Sequence, residues 1–92
     1  SNGTYLSQST TTDYAYFNVG QTFQNGLHVR AYNINGFDPG NPDANKVLDD
    51  VINASGWVQL VPYEPMSYIW IDQSSDPDFV IDDFTWMDIK RP

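Results

Sequence analysis

Three observations predict an all-β fold for this chain of 92 residues. Aromatic residues make up 15% of the sequence, and together with the frequent Thr, Val and Ile they fit the pleated surface of a sheet. Apolar and polar residues alternate over several short stretches, as they do on half-buried strands. Asn, Asp, Gly, Ser and Pro interrupt these stretches at short intervals, which is typical of turns between strands. The length corresponds to one domain, in which we distinguish a polar N-terminal arm at 1–13 from a β-sandwich domain at 14–92.

The N-terminal arm is rich in Ser and Thr and has only Tyr5 and Leu6 as apolar anchors. Its composition fits a flexible lead-in to the domain. The same residues also fit a strand that pairs with an exposed sheet edge, either of its own chain or of a neighbouring one. The sequence leaves both interpretations open.

A hairpin is predicted around Asn25-Gly26, because this dipeptide favours the two-residue turns that join antiparallel strands. On both sides, in residues 14–24 and 27–34, apolar and polar side chains alternate with the period of a strand. The second strand is expected to end at another Asn-Gly dipeptide, Asn35-Gly36.

The next segment combines a predicted loop with an ambiguous element. Pro39, Gly40 and Pro42 predict a loop over residues 37–45. The apolar spacing of residues 46–54, with Pro42 at a first helical position, fits one short helix near 43–54. A strand would instead turn Asp49 or Asp50 inward unless a bulge separates them.

The remaining strands are predicted at 56–62, 66–72 and 78–87, and the last two would form the closing hairpin. Residues 71–89 hold six of the twelve acidic residues of the chain, interleaved with aromatic and aliphatic side chains. We expect Phe79, Ile81, Phe84 and Trp86 to be mainly structural. Because neighbours on a strand point to opposite faces, one of Asp82 and Asp83 is expected to be buried beside a backbone amide or a cation.

The order of four segments over residues 14–88 resembles a known family: NGLHVRAYNING, GWVQLVP, MSYIWIDQSS and DFVIDDFTW. It is similar to the C-terminal portion of extracellular jelly-roll β-sandwich domains, both bacterial surface-anchored and carbohydrate-binding-module-like. The residues that carry the resemblance are Gly26, Val29, Tyr32, Trp57, Val58, Leu60, Ile71, Asp72, Phe79, Ile81, Asp82, Asp83 and Phe84. The resemblance implies an antiparallel β-sandwich of jelly-roll type.

Such sandwiches usually have about eight strands, whereas the patterns above predict five or six. Three explanations compete: a small sandwich, a fragment of a longer chain, or a sandwich that is incomplete in one chain and is completed by a strand from another subunit. The third would couple folding to assembly, because an incomplete sheet exposes an edge that a partner strand can fill.

Charge and composition exclude several functional classes. The net charge of −8 opposes binding to nucleic acid and to anionic membrane surfaces, and no apolar run approaches the roughly 20 residues that insertion into a membrane requires. With no cysteine and one histidine, the chain cannot form a cysteine-based zinc site or supply a thiol nucleophile. His28 is expected to be exposed, and no catalytic triad pattern or phosphate-binding loop indicates an enzyme.

Two candidate calcium sites follow from clusters of oxygen-bearing side chains. Calcium prefers six to eight oxygen ligands, which loops rich in Asp and Asn supply. The first set is Asp38, Asn41, Asp43 and Asn45, and the second is Asp72, Asp76 and Asp78. In the alternative interpretation, these side chains cap the backbone of solvated turns.

A candidate glycan site comprises Tyr63, Tyr68 and Trp70, whose flat rings are suited to stacking on sugars. The alternative is that large aromatic rings fill the core of so small a domain. We expect this of Trp57 and Trp86.

The sequence thus favours a non-catalytic module. Asn2 and Asn53 begin two glycosylation sequons, which indicates an extracellular or cell-surface location. The predicted role is a structural subunit that self-assembles through strand pairing at a cell surface or in a filament. The alternative is a carbohydrate-binding module stabilised by calcium.

Overall fold

The computed structural model describes residues 3–20, 26–53, 55–72 and 81–88. Within these ranges the chain forms seven strands: β1 (Gly3–Thr12), β2 (Tyr14–Val19), β3 (Leu27–Tyr32), β4 (Lys46–Ile52), β5 (Gly56–Leu60), β6 (Met66–Asp72) and β7 (Ile81–Met87). The described residues contain no helix, and so none that could cross a bilayer. The all-β class is confirmed, and the segment for which helix and strand were both open is a strand.

The strands form two antiparallel sheets in a β-sandwich-like arrangement. The four-stranded sheet has the order β1-β6-β3-β4, and the three-stranded sheet has the order β5-β2-β7. Alternate residues of each strand point inward, and those of both sheets form one core: Ala15, Phe17, Val19, Leu27, Val29, Ala31, Val47, Leu60, Met66, Ile69 and Ile71. Among the seven strands, β3 and β4 are the only consecutive pair that are neighbours in one sheet.

Both hairpins predicted from the sequence are wrong. Strands β2 and β3 lie in different sheets, and so do β6 and β7. Phe17 of β2 and Val29 of β3 are fully buried in the core that the two sheets share. Alternation reveals the buried face of a strand but not the sheet to which it belongs. Residues 21–25 and 73–80, which connect these strands, lie outside the described residues.

The N-terminal arm is an edge strand of its own chain. Strand β1 pairs with β6 from Gly3, opposite Asp72, to Ser7, opposite Tyr68, and its register then shifts. Past the shift, the buried Ser67 hydroxyl donates a hydrogen bond of 2.6 Å to the Thr10 carbonyl oxygen. Of the two interpretations of the arm, pairing with its own sheet is therefore the one observed.

The two adjacent carboxylates of β4 stay exposed, although the bulge of this strand lies at residues 46–48 and does not separate them. Ala31 of β3 pairs with Leu48, whereas Tyr32 pairs with Lys46, so β4 holds one extra residue at this point. Asp49 and Asp50 are both exposed. Because β4 is the edge of a four-stranded sheet that faces only three strands, its end can turn Asp50 toward the core side without burying it.

A second irregularity corrects the expectation of a buried aspartate in β7. Asp83 has a φ of +59°, and the register with β2 shifts between Tyr16 and Asn18. Asp tolerates this left-handed conformation better than most residues. The bulge breaks the strict alternation, so Asp82 and Asp83 are both exposed.

Of the two tryptophans expected in the core, one packs against it and the other is exposed. Trp86 is half-buried and packs against the core, next to Phe84, which stacks on Phe17 at 5.8 Å between ring centroids. The expectation of a core position for Trp57 is wrong, because its side chain is 61% exposed. In β5 the inward positions belong to Val58 and Leu60, so the alternation of the strand directs Trp57 outward.

Candidate functional site

A cleft of about 930 Å³ lies on the outer face of the four-stranded sheet. All four strands contribute to its floor, and the loop at residues 33–45, between β3 and β4, forms one wall. The floor residues are Tyr5, Arg30, Tyr32, Lys46, Asp49, Tyr68 and Trp70, and the wall residues are Asn35, Gly36, Phe37, Pro42 and Asp43.

The strand register aligns the floor residues in rows across the sheet. One row crosses all four strands: Tyr5 pairs with Trp70, Trp70 with Arg30, and Arg30 with Asp49. Tyr68 and Tyr32 are paired in the adjacent row. Since residues two apart on a strand share a face and direct cross-strand neighbours have Cβ atoms about 5 Å apart, these side chains form one continuous surface.

Three aromatic rings meet at the centre of this floor. The ring of Tyr5 stacks on Tyr68 with 5.9 Å between centroids and a 26° interplanar angle, and it lies 5.9 Å from Trp70 at 52°. Tyr68 and Trp70 are half-buried, whereas Tyr5 is 48% exposed at the sheet edge. Burial, reinforced by Tyr68, raises the pKa of Tyr5. Even an unperturbed tyrosine is protonated near neutral pH, so the hydroxyl of Tyr5 can donate a hydrogen bond there.

The loop wall approaches the floor closely at Gly36. This residue has a φ of +75°, and a Cβ atom there would lie 3.3 Å from the Tyr68 ring. The Asn45 side-chain amide donates a 2.8 Å hydrogen bond to the Gly36 carbonyl, and Phe37 meets Tyr32 edge to face at 5.7 Å. The loop is thus held against the sheet by specific contacts.

A charged network occupies the β3–β4 side of the cleft. Lys46 Nζ lies 2.7 Å from Asp43 Oδ1 and 2.8 Å from Asp49 Oδ2. The other Asp49 oxygen is bonded to His28 Nε2. The hydrogen bonds from Lys46 and, secondly, His28 lower the pKa of Asp49, while those to Asp43 and Asp49 raise the pKa of Lys46.

His28 connects this network to Arg30. Arg30 Nη2 lies 2.8 Å from His28 Nδ1, and a guanidinium has donors only, so Nδ1 accepts and Nε2 carries the hydrogen directed at Asp49. The His28 side chain is only 30% exposed, in contrast to the expectation of an exposed residue. The chain of bonds fixes the orientation of the Arg30 side chain.

The cleft contains two of the three predicted glycan-binding residues, Tyr68 and Trp70. Tyr63 is not among the lining residues: it is 78% exposed, and its hydroxyl donates a 2.6 Å hydrogen bond to the Lys46 carbonyl. Sequence reasoning missed the other floor residues: Tyr5, Arg30, Tyr32, Lys46 and Asp49. The alternation of β3 placed Arg30 and Tyr32 on one face, but their proximity to Trp70 required the strand order.

The first predicted calcium set is spread over separate interactions. The Asp38 carboxylate accepts the Gly40 backbone N–H at 2.9 Å, which is the backbone-capping alternative. Asp43 pairs with Lys46, the Asn45 amide bonds to the Gly36 carbonyl, and Asn41 is exposed.

In the second set, Asp72 ends β6, and Asp76 and Asp78 lie outside the described residues. The described part of the chain contains no group of three or more His, Cys, Asp or Glu residues that could hold a metal ion. Calcium binding stays a prediction. Of the two sequon residues, Asn53 is exposed just after β4, and Asn2 lies outside the described ranges.

The outer face of the three-stranded sheet also carries aromatic residues. Tyr16 lies 6.0 Å from Tyr14 and 5.8 Å from Trp57 between ring centroids. Met87, which is 44% exposed, pairs with Tyr14 at the end of this sheet. The molecule therefore presents aromatic side chains on both outer faces.

Comparisons of the chain with protein-family models, curated proteins and solved structures give no match.

Proposed function

We propose that this chain is a non-catalytic, extracellular carbohydrate-binding domain with a sandwich of jelly-roll type, and that it holds an oligosaccharide in the cleft of the four-stranded sheet. The observation that carries the proposal is the meeting of Tyr5, Tyr68 and Trp70 on one floor, bordered by charged side chains. The jelly-roll assignment is supported by the frequent passage of the chain between the two sheets.

The cleft suits the chemistry of a sugar ring, which has apolar C–H faces and polar hydroxyl edges. The aromatic floor offers flat apolar surface to the faces, and Asn35, Asp43 and Asp49 offer hydrogen-bonding groups to the edges. A volume of about 930 Å³ lies within the usual range for ligand pockets. The ion pairs of Lys46 fix the polar side chains before binding, which reduces the entropy lost when a ligand is held.

The proposal is tested by isothermal titration calorimetry with tetrasaccharides of 1,4-linked glucose, mannose and galactose and with the uronic-acid derivatives named in the next subsection. We expect binding to at least one compound. Trp70→Ala should lower the affinity about thirtyfold or more, since buried aromatic anchors contribute at least about 2 kcal/mol. Trp57→Ala, on the opposite face, should change it less than about twofold.

Circular dichroism of both variants provides the folding control, because a folded Trp70→Ala protein that no longer binds separates recognition from stability. Equal loss of affinity in Trp57→Ala and Trp70→Ala, or full affinity in Trp70→Ala, would contradict the assignment of the cleft.

Self-assembly through strand pairing is the second candidate, and the exposed Trp57 and Met87 on the three-stranded sheet favour it. Strands β4, β5 and β7 end their sheets, and edge strands can pair with other chains. Deletion of the N-terminal arm is an unsuitable test, since it would remove β1 from the fold. Light scattering over a concentration series measures the oligomeric state directly. An oligomer that Trp57→Ala weakens supports self-assembly, and a monomer at all concentrations contradicts it.

A further inference from the structure

Arg30 lies in the cleft and has no carboxylate partner among the described residues. Within this part of the chain Lys46 forms ion pairs with Asp43 and Asp49, and Arg30 forms none. Its side chain is half-buried and lines the cleft floor. The planar fork of a guanidinium suits a carboxylate, so a half-buried Arg30 without such a partner in the described ranges is open to an anionic ligand.

The partners of Asp49 explain why it does not pair with Arg30. Asp49 is the cross-strand neighbour of Arg30, yet its Oδ1 is bonded to His28 and its Oδ2 to Lys46. Arg30 instead donates one N–H to His28 Nδ1. A guanidinium has five N–H donors in a planar fork that matches a carboxylate. In the described structure His28 occupies one of them and holds the group in place.

The position of Arg30 relative to Trp70 indicates what its partner is. The two residues are direct cross-strand neighbours, so their Cβ atoms are about 5 Å apart. A pyranose ring stacked on the Trp70 side chain would bring an exocyclic substituent within reach of the guanidinium. We infer that the ligand is an acidic saccharide, in which a uronic acid unit stacks on Trp70 and places its carboxylate on Arg30. This inference rests on the proposed function and specifies its ligand class.

The distribution of charge supports the same ligand class. Of the four basic residues of the chain, Arg30 and Lys46 are the two that the structure describes, and both line the cleft. Lys46 is balanced by two carboxylates, so Arg30 supplies the positive charge available to a ligand. The net charge of −8 acts over long distances, but salt screens it beyond about 8 Å at physiological ionic strength. An isolated carboxylate is therefore compatible with the site, whereas a dense polyanion is repelled.

The test uses three pairs of matched compounds: 1,4-linked tetrasaccharides of glucose, mannose or galactose in which one unit is the corresponding uronic acid, each against its methyl ester. The ester removes the charge of the carboxylate and adds one methyl group, and it leaves the rest of the ligand unchanged. For the wild-type chain we expect at least one acid to bind about tenfold tighter than its ester, since hydrogen bonds to charged groups are among the stronger ones.

Arg30→Gln should reduce this preference to less than about twofold, because it weakens binding of the acid more than binding of the ester. Arg30→Lys, which keeps the charge but not the planar fork, should retain part of the preference. Circular dichroism checks that both variants are folded.

The outcomes separate this inference from the proposed function. Equal affinity for acid and ester in every pair, or a preference that survives Arg30→Gln, overturns the inference and leaves carbohydrate binding standing. Absence of binding to the three esters, the three acids and the neutral tetrasaccharides overturns both.

Discussion

The two outer faces of the molecule are both rich in aromatic residues, yet they differ in how those residues are presented. On the four-stranded sheet, Trp70 is half-buried, its neighbour Tyr5 stacks on Tyr68, and a loop rises beside them. On the three-stranded sheet, Trp57 is 61% exposed and meets Tyr16 at a steep angle of 64°. Aromatic content alone therefore does not identify a binding site; the surrounding walls and polar partners do.

The difference has two structural causes. The four-stranded sheet is wider, so its register aligns a row from Tyr5 through Trp70 and Arg30 to Asp49. The loop at 33–45 is long enough to fold over the sheet: Phe37 packs edge to face on Tyr32 of β3, and the Asn45 amide closes the loop on the Gly36 carbonyl. These features build a cleft on one face and leave Trp57 exposed on the other.

Beyond Trp70, the largest effect on saccharide affinity is expected from Tyr5, and Tyr14 on the opposite face is its matched control. Tyr5→Ala removes the ring that stacks on Tyr68 and Trp70, and we expect it to lower saccharide affinity about tenfold. Tyr14→Ala removes a comparable ring from the three-stranded face and should change affinity less than about twofold. Calorimetric titration of both variants checks this, and an equal loss would erase the distinction between the faces.

Two glycines with positive φ distinguish the effect of the cleft wall on saccharide affinity from the effect of backbone strain. Gly36 and Gly56 both have positive φ, of +75° and +101°, but a Cβ would approach Tyr68 at Gly36 and meet nothing within 4 Å at Gly56. Each change to Ala should lower the free energy of unfolding by about 1–2 kcal/mol. Urea denaturation measures that cost, and only Gly36→Ala should also weaken saccharide binding, about threefold. Weakened binding in Gly56→Ala would show that strain, and not the wall, controls affinity.

The residue patterns were sufficient to predict β2, β3, β5, β6 and β7, but they left β1 and β4 open and did not give the sheet to which each strand belongs. The alternation around Phe17 and Val29 correctly indicated buried faces, but the hairpin predicted between their strands was wrong. Two strands that pair in one sheet and two strands that pack face to face across the core have the same alternation. The exposure of Trp57 could have been predicted, since Trp57 shares a strand face with the polar residue Gln59. The expectation that large rings fill a small core overrode that signal.

The candidate site was harder to predict from the sequence than the fold, for a physical reason. Tyr68 and Trp70 lie on one strand, so their common face followed from sequence. Tyr5 and Arg30 reach them only through the strand order β1-β6-β3, which brings together residues far apart in the chain. No local sequence pattern predicts that β1 and β3 both pair with β6. The polar composition of the arm that contains Tyr5 did not indicate a ligand-binding role.

Tyr63 tests the boundary of the cleft at smaller magnitude. Tyr63→Phe removes the hydroxyl that donates to the Lys46 carbonyl, and we expect the free energy of unfolding to fall by about 1 kcal/mol. Saccharide affinity should stay within about twofold of the wild type, since Tyr63 does not line the cleft. Urea denaturation and calorimetric titration measure the two quantities, and a marked loss of affinity would extend the site to this residue.

The smallest effect concerns the charged side of the cleft. Because the pKa of Asp49 is lowered in the folded chain, its stabilising contribution is present above the ordinary Asp pKa of about 3.9 and is lost as the pH falls below it. The Asp49 side chain is 40% exposed, so solvent weakens the contribution, and Asp49→Asn should lower Tm by less than about 4 °C at pH 6.

At low pH the difference in Tm between Asp49→Asn and the wild type should shrink, because the contribution of the charge is lost as the pH falls through the lowered pKa of Asp49. Asp50→Asn is the matched control, since Asp50 forms no ion pair within the described residues. Thermal melts at both pH values decide the matter: a Tm difference for Asp49→Asn that is independent of pH would contradict the role of its charge.

The most direct test of saccharide binding in the cleft is a nuclear magnetic resonance titration of the ¹⁵N-labelled chain. Its three tryptophans give three indole N–H signals, which Trp→Phe variants assign. On addition of the tightest-binding tetrasaccharide from the titrations above, the Trp70 signal should move in a saturable manner while those of Trp57 and Trp86 stay in place. A saturable shift of Trp57 with Trp70 unchanged would place the ligand on the opposite face and contradict the account.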